Sequence, residues 1–158
     1  MFALPQETHP ERLWVLEQIN SGEIILDLGC GKNKTLDKAI GIDILPVSDI
    51  TISIDELPME DNSVDIVISR HSLEHLIDTI KTLNEWKRVL RKDGKIIVVL
   101  PDHEYVDTMQ PALSGGVHLH AFSRNSFKNL ISVIPGLKIE KIETVIEEWS
   151  FGVVIKKL

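Results

Sequence analysis

Five short apolar runs, EIILDLG (23–29), AIGIDIL (39–45), DITISI (49–54), VDIVIS (64–69) and KIIVVLP (95–101), constrain the fold more than any other feature of this chain. Runs this short, rich in Ile and Val and bounded by Gly, Asp, Asn or Pro, read as strands buried on both faces. Helical patterns separate or flank them. Residues 10–20 carry apolar positions at Leu13, Leu16 and Ile19 or at Trp14 and Val15, which predicts a short helix closed by Asn20-Ser21-Gly22. From Leu73 to Leu90, Leu73, Leu76, Ile77, Ile80, Leu83 and Leu90 follow helical spacing, with Lys87, Arg88, Arg91 and Lys92 at the end and Gly94 as the stop. A third helix runs from its cap Ser123 to Val133 and stops at Pro135-Gly136. The tail alternates as two strands around Trp149 to Gly152, which predicts an antiparallel hairpin at the sheet edge. Strands interleaved with helices predict an α/β fold around a mostly parallel sheet.

With 158 residues there is room for one domain, 1–158: an N-terminal helix in 1–21, a core in 22–102 and a third segment in 103–158. The net charge of −7 argues against nucleic acid as the main partner, because phosphate backbones are held by clustered Lys and Arg. The first residues lack a basic, apolar secretory leader, and the longest apolar block, IIVVL, is too short to span a bilayer, so a cytoplasmic location is expected. The single cysteine, Cys30, excludes an intrachain disulfide.

In parallel sheets, ligands bind beyond the carboxyl ends of the strands, where the strand order reverses. The residues following each strand are therefore the candidates for chemistry. After the first run stands DLGCGKNK, in which Gly29 and Gly31 let the backbone turn tightly and approach a ligand. The second run carries Asp43, a carboxylate suited to the two hydroxyls of a ribose.

ILDLGCG, then GIDI, then DELPMEDNSVDIVISRHSLEHL, then EWKRVLRKDGKIIVVLPD, in that order across residues 22–102, resembles the class I S-adenosylmethionine-dependent methyltransferases. The resemblance implies a Rossmann-like, doubly wound sheet and S-adenosyl-L-methionine as the cofactor. It implies cofactor contacts from Asp27, Gly29, Cys30 and Gly31 at the first strand tip, and from Asp43 and Ile44 at the second. Ile54 or Leu57 would pack on the adenine, Arg70 and His71 would line the cleft, and Asp55 would take the adenine contact that Ser53 holds by position.

RHSLEHL also admits a metal reading. His71 and His75 flank Glu74 in the H-x-x-E-H pattern of inverted zinc proteases, and on a helix they would share a face. A zinc hydrolase would need that motif inside a long helix, with a third ligand such as Glu147 or Glu148, both of which fall in the expected hairpin. His71, His75, His118 and His120 together form a second possible metal set. The strand-like VDIVISR running straight into His71 favours the methyltransferase reading, and no metal is expected.

The departures from the family are specific. Asn33 stands where a third glycine is usual, tolerable because Asn enters the left-handed region more readily than most residues. Eleven residues separate Gly31 from Asp43 and six separate Asp43 from Ile50, too few for full helices, so reduced helices are expected after the first and second strands. The cleft should be open on that side unless another chain, as in a homodimer, the substrate or the N-terminal segment covers it. The non-periodic stretch 101–123 reads as the acceptor side, with His118 and His120 as base or substrate contacts beside His71. A small-molecule or sugar-containing acceptor, methylated on O, N or C, is expected. A non-catalytic S-adenosylmethionine- or nucleotide-binding module is the alternative.

Overall fold

A computed structural model of the chain describes residues 6–20, 23–110 and 118–158. Its centre is a seven-stranded sheet built from β1 (Ile25–Leu28), β2 (Ile40–Asp43), β3 (Ile50–Thr51), β4 (Val64–Arg70), β5 (Leu90–Pro101), β6 (Leu137–Ile146) and β7 (Ser150–Lys157), in the order β3-β2-β1-β4-β5-β7-β6. Neighbours from β3 through β5 pair in parallel, and β7 runs antiparallel to both β5 and β6. The order reverses between β1 and β4, and their carboxyl ends open the crevice that such a reversal leaves. The expected edge hairpin is present, although its turn falls at residues 147–149, with Glu148 at φ +54°.

Side chains alternate across the sheet as the pleat requires. Ile96, Val98 and Leu100 of β5 face a core shared with α2 (Thr79–Val89) and α3 (Arg124–Ser132), where Trp86 and Phe127 are fully buried. Ile97 and Val99 face the opposite side, where α1 (Pro10–Glu17) lays down Trp14 and Val15. Trp86 also donates its ring N–H to the Ile54 carbonyl at 2.8 Å, which ties α2 to the loop after β3.

The helix expected over Leu73–Leu90 breaks. Leu73–His75 is a single 3₁₀ turn, Leu76 is extended, and α2 starts at Thr79 behind the cap Asp78, whose side chain accepts Lys81 N–H at 2.8 Å. The cause is tertiary. The carbonyls of Glu74, Leu76 and Ile77, which a continuous helix would use, accept hydrogen bonds from the Leu119 and His120 amides and the His120 ring. Ile77, counted on the apolar stripe, is 87% exposed.

Reduced helices are confirmed: among the described residues none forms between β1 and β2 or between β2 and β3. Polar side chains do the bracing instead. Ser48 donates to the carbonyls of Leu45 and Ile50 at 3.0 and 2.9 Å, and Asp49 accepts Gly41 N–H at 2.8 Å and the Lys34 ammonium at 2.9 Å. Six residues thereby join two parallel neighbours without a helix. No described helix is long and apolar enough to cross a membrane.

Trp86→Ala removes the largest fully buried side chain and leaves the Ile54 carbonyl unpaired, so the unfolding free energy should fall by about 3–5 kcal/mol in urea denaturation. A loss below about 1 kcal/mol would contradict this account of the core.

Candidate functional site

The tips of β1 and β2 carry buried carboxylates whose first task is to shape the loop between them. Asp27 accepts the Thr35 amide, and burial pushes its pKa up. Asp43 accepts Gly31 N–H at 2.8 Å and Leu45 N–H at 2.9 Å. Two arginines grip the same loop by its carbonyls, Arg12 at Thr35 (2.8 Å) and Arg70 at Asn33 (3.4 Å).

Gly29 is required twice over. Its φ is +71°, and a Cβ there would lie 2.0 Å from the Ser72 hydroxyl oxygen. Gly31, at φ +54°, has nothing within 4 Å of an added Cβ, so its backbone faces open space. Asn33 does not enter the left-handed region; its amide instead closes a turn onto the Cys30 carbonyl at 3.1 Å. The Cys30 thiol is pushed up to about 11, by burial first and then by the Asp27 and Asp43 charges.

Three cavities meet at His71. One of about 490 Å³ is mainly apolar and lies among Ile44, Leu45, Ile54 and Leu76, with Asp43, Ser53, Ser72, His71 and His75 as its polar groups. A second, about 290 Å³, lies beside Asp27, Gly29, Cys30 and Arg70 under Gln6 and His9. The third, also about 290 Å³, is bounded by His75, Val106, Thr108, His118 and Trp149. The N-terminal segment thus covers the second and third cavities. The side left by the missing helices stays open, with Ile44, Leu45 and Val47 exposed at 70, 52 and 58%.

His71 reaches this junction because its backbone turns left-handed, φ +50°, straight after β4. Its Nε2 lies 2.9 Å from both carboxylate oxygens of Glu11, and its Nδ1 is 3.7 Å from Glu74. Burial works to lower its pKa, but the Glu11 hydrogen bond and the two carboxylate charges outweigh burial and carry it up to about 10. Glu11, buried on α1, moves the other way: burial raises its pKa, and the His71 contacts win and lower it. His71 is consequently an imidazolium at neutral pH, a hydrogen-bond donor with no free lone pair for general-base work.

The structure gathers Asp27, Gly29, Cys30 and Arg70 on one cavity, Asp43, Ile44, Ser53 and Ile54 on another, and His118 with His71 on the third. Three expectations do not hold in these positions. Leu57 is in the core with its N–H on Glu85 at 2.8 Å, so Ile54 alone of that pair lines the cleft. Asp55 takes the Ser53 hydroxyl and pairs with Lys81 at 3.5 Å, away from the cavity. His120 spends its ring N–H on the Leu76 and Ile77 carbonyls, at 2.8 and 3.2 Å, and borders none of the three cavities. The helical set His71/Glu74/His75 is overturned as well, since strand, turn and extended residue succeed one another there and His71 faces Glu11. Of the stretch 101–123, residues 111–117 lie outside the described residues, as do Ser21 and Gly22 at the expected end of the first helix.

Sequence reasoning missed Glu11, His9 and Ser72. A Glu in the first turn of a helix reads as an ordinary response to the helix dipole. Ser72, inside RHSLEHL, signals its role only through its contact with Gly29.

Sheet order and crevice define a Rossmann-like α/β unit, and a solved S-adenosylmethionine-dependent methyltransferase from Mesorhizobium loti shares it, with a TM-score of 0.74 at 14% identity over 97% of this chain and 100% of that one. The family model described as a methyltransferase domain matches residues 26–98. Among curated proteins, an uncharacterized 37.1 kDa transposon protein of Streptomyces fradiae is 33% identical over 58% of this chain and 34% of its own length. The ubiquinone/menaquinone biosynthesis C-methyltransferase UbiE of Hahella chejuensis is 29% identical over 65% of this chain and 41% of its own. The chain therefore spans well under half the length of these two relatives. The core of the chain thus matches the methyltransferase-domain family model, and its fold is shared with solved S-adenosylmethionine-dependent methyltransferases.

The stability linked to His71 is complete below pH 6.5 and is lost as pH rises through about 10, while that linked to Glu11 is present above pH 4.5 and is lost as pH falls through its depressed value. In chelator-treated protein, the NMR ring titration of His71 should have its midpoint near 10, and in Glu11→Gln the midpoint should fall by more than about one unit. An unchanged midpoint would remove Glu11 from the site.

Proposed function

We propose that the protein binds S-adenosyl-L-methionine across the tips of β1 and β2 and transfers its methyl group to a small-molecule or sugar-containing acceptor. One observation carries this reading: Gly29 and two buried carboxylates on adjacent strand tips open onto two cavities that share His71. The larger cavity, about 490 Å³, is in the range of small-ligand sites, and its apolar walls with one carboxylate suit an adenosine.

In this reading Asp43 accepts the ribose hydroxyls, and Ile44 and Ile54 flank the adenine. Asp27, with the backbone at Gly29, holds the amino-acid end beside Arg70. The bound cofactor supplies an electrophilic methyl on a sulfonium, displaced in line by an O, N or C nucleophile. The chain's own contribution is placement and exclusion of water. His71, held as an imidazolium by Glu11, forms the wall between cofactor and acceptor, and His118 contacts the acceptor from the third cavity. The deficit of basic residues supports a small acceptor over nucleic acid.

Calorimetric titration with S-adenosylmethionine and S-adenosylhomocysteine tests the reading. Folded wild-type protein should bind both, and Asp43→Ala should weaken binding by at least about tenfold, because hydrogen bonds to a charged group are lost. No binding to folded wild-type protein, or equal affinity in Asp43→Ala, would reject it. Binding without methyl transfer to any acceptor in a broad panel would select a binding module instead.

A further inference from the structure

The turn after β4 buries an acid that the proposed cofactor site does not use. Glu74 is fully buried, and neither of its carboxylate oxygens has a hydrogen-bond partner among the described residues. Its polar neighbours, His71 Nδ1 at 3.7 Å and His118 Nε2 at 3.9 Å, are beyond hydrogen-bonding distance. A carboxylate removed from water is costly unless hydrogen bonds or a cation compensate it. Nδ1 of His118 is buried and unpartnered too, and the His118 ring packs edge-on against His75 with centroids 4.6 Å apart.

The fold puts effort into this convergence. The Leu119 and His120 amides donate to the Glu74 carbonyl at 2.8 and 3.1 Å, and the His120 ring holds the Leu76 and Ile77 carbonyls. These bonds clamp the segment carrying His118 onto the turn carrying Glu74 and His75. One ligand atom from each of Glu74, His75 and His118 lies within 4.8 Å of the other two. Ligands about 2.0–2.2 Å from a shared tetrahedral ion sit about 3.3–3.6 Å apart, so side-chain movements of up to about 1 Å complete the set.

We propose that Glu74, His75 and His118 bind one divalent transition-metal ion at the edge of the third cavity. Two imidazoles and a carboxylate suit zinc, iron or manganese and disfavour calcium and magnesium, which take oxygen ligands. Three protein ligands leave coordination positions open, and His75 and His118 both line the cavity that His71 joins to the cofactor side. The ion holds an acceptor with adjacent oxygen donors, such as the vicinal hydroxyls of a sugar. That acceptor class rests on the methyltransferase reading; ion binding itself does not.

Chelator-treated, dialysed protein should be titrated with ZnCl2 and with MnCl2, by calorimetry and by thermal unfolding. Wild-type protein should take up one ion per chain and unfold at higher temperature with it. Glu74→Gln and His118→Ala should each weaken binding by at least about tenfold, the lower end of what losing even an indirect partner of a metal ligand costs. Glu74→Gln is the sharper variant: it keeps the shape of the side chain and removes the carboxylate, so the response to the ion should disappear while the metal-free protein still unfolds cooperatively. No ion bound by wild-type protein, or unchanged binding and thermal response in both variants, would overturn the site. S-adenosylmethionine affinity, measured on the same proteins, should be unchanged by either variant. Failure of the wild type to bind it would reject the methyltransferase reading and leave the ion site standing.

Discussion

Two buried carboxylates hold a loop where a helix would otherwise carry the load, and the rest of the site depends on that substitution. Asp27 fixes the far end of the loop after β1 through Thr35, and Asp43 fixes the near end through Gly31. Bonds from backbone N–H groups to an ionised carboxylate are among the stronger ones available, and they favour the charged form that burial disfavours. Arg12 and Arg70 then take the loop's carbonyls from α1 and β4, so the segment is tied to four different elements, β1, β2, α1 and β4. The Gly29 turn is thereby fixed in place before any ligand arrives, which reduces what binding must spend on ordering.

The same economy appears between β2 and β3, where Ser48 and Asp49 brace a connection of six residues. Without those two helices, the face of the sheet carrying Ile97 and Val99 is covered by α1. That helix therefore has two roles. Trp14 and Val15 pack on the sheet, and Glu11, one turn earlier, reaches His71. The core that seats α1 and the pair that positions His71 are coupled through a helix of eight residues.

What the sequence made legible follows from the range of the interactions involved. Buried strands announce themselves locally, so β1, β2, β4 and β5 and the tip residues Asp27, Gly29 and Asp43 could be placed from runs and spacing. β3 shrinks to Ile50–Thr51 because a connection so short leaves little to pair. Leu57 and Asp55 are drawn from the cleft by partners on α2: Glu85 takes the Leu57 amide, with the Leu57 side chain in the core, and Lys81 pairs with Asp55. The Glu11–His71 pair joins residues sixty positions apart, and neither end carries a local signature of the other. The helix break at 76–78 is likewise invisible in a pattern that is genuinely periodic, because the carbonyls are claimed by a distant segment.

RHSLEHL shows why geometry had to precede chemistry. Read as a helix, it places His71 and His75 on one face. As a strand end with a left-handed residue and a 3₁₀ turn, it sends His71 toward Glu11 and the junction of the cavities, and Glu74 and His75 toward His118. The charges that result are uneven. Asp27, Asp43, Glu11 and Glu74 surround the crevice, against Arg70 and the His71 imidazolium. Low-dielectric walls lined mainly by one sign of charge focus the field toward the opposite sign. A crevice built this way favours cationic guests, and the proposed sulfonium on one side of His71 and the proposed divalent ion on the other would both answer the same excess of buried negative charge.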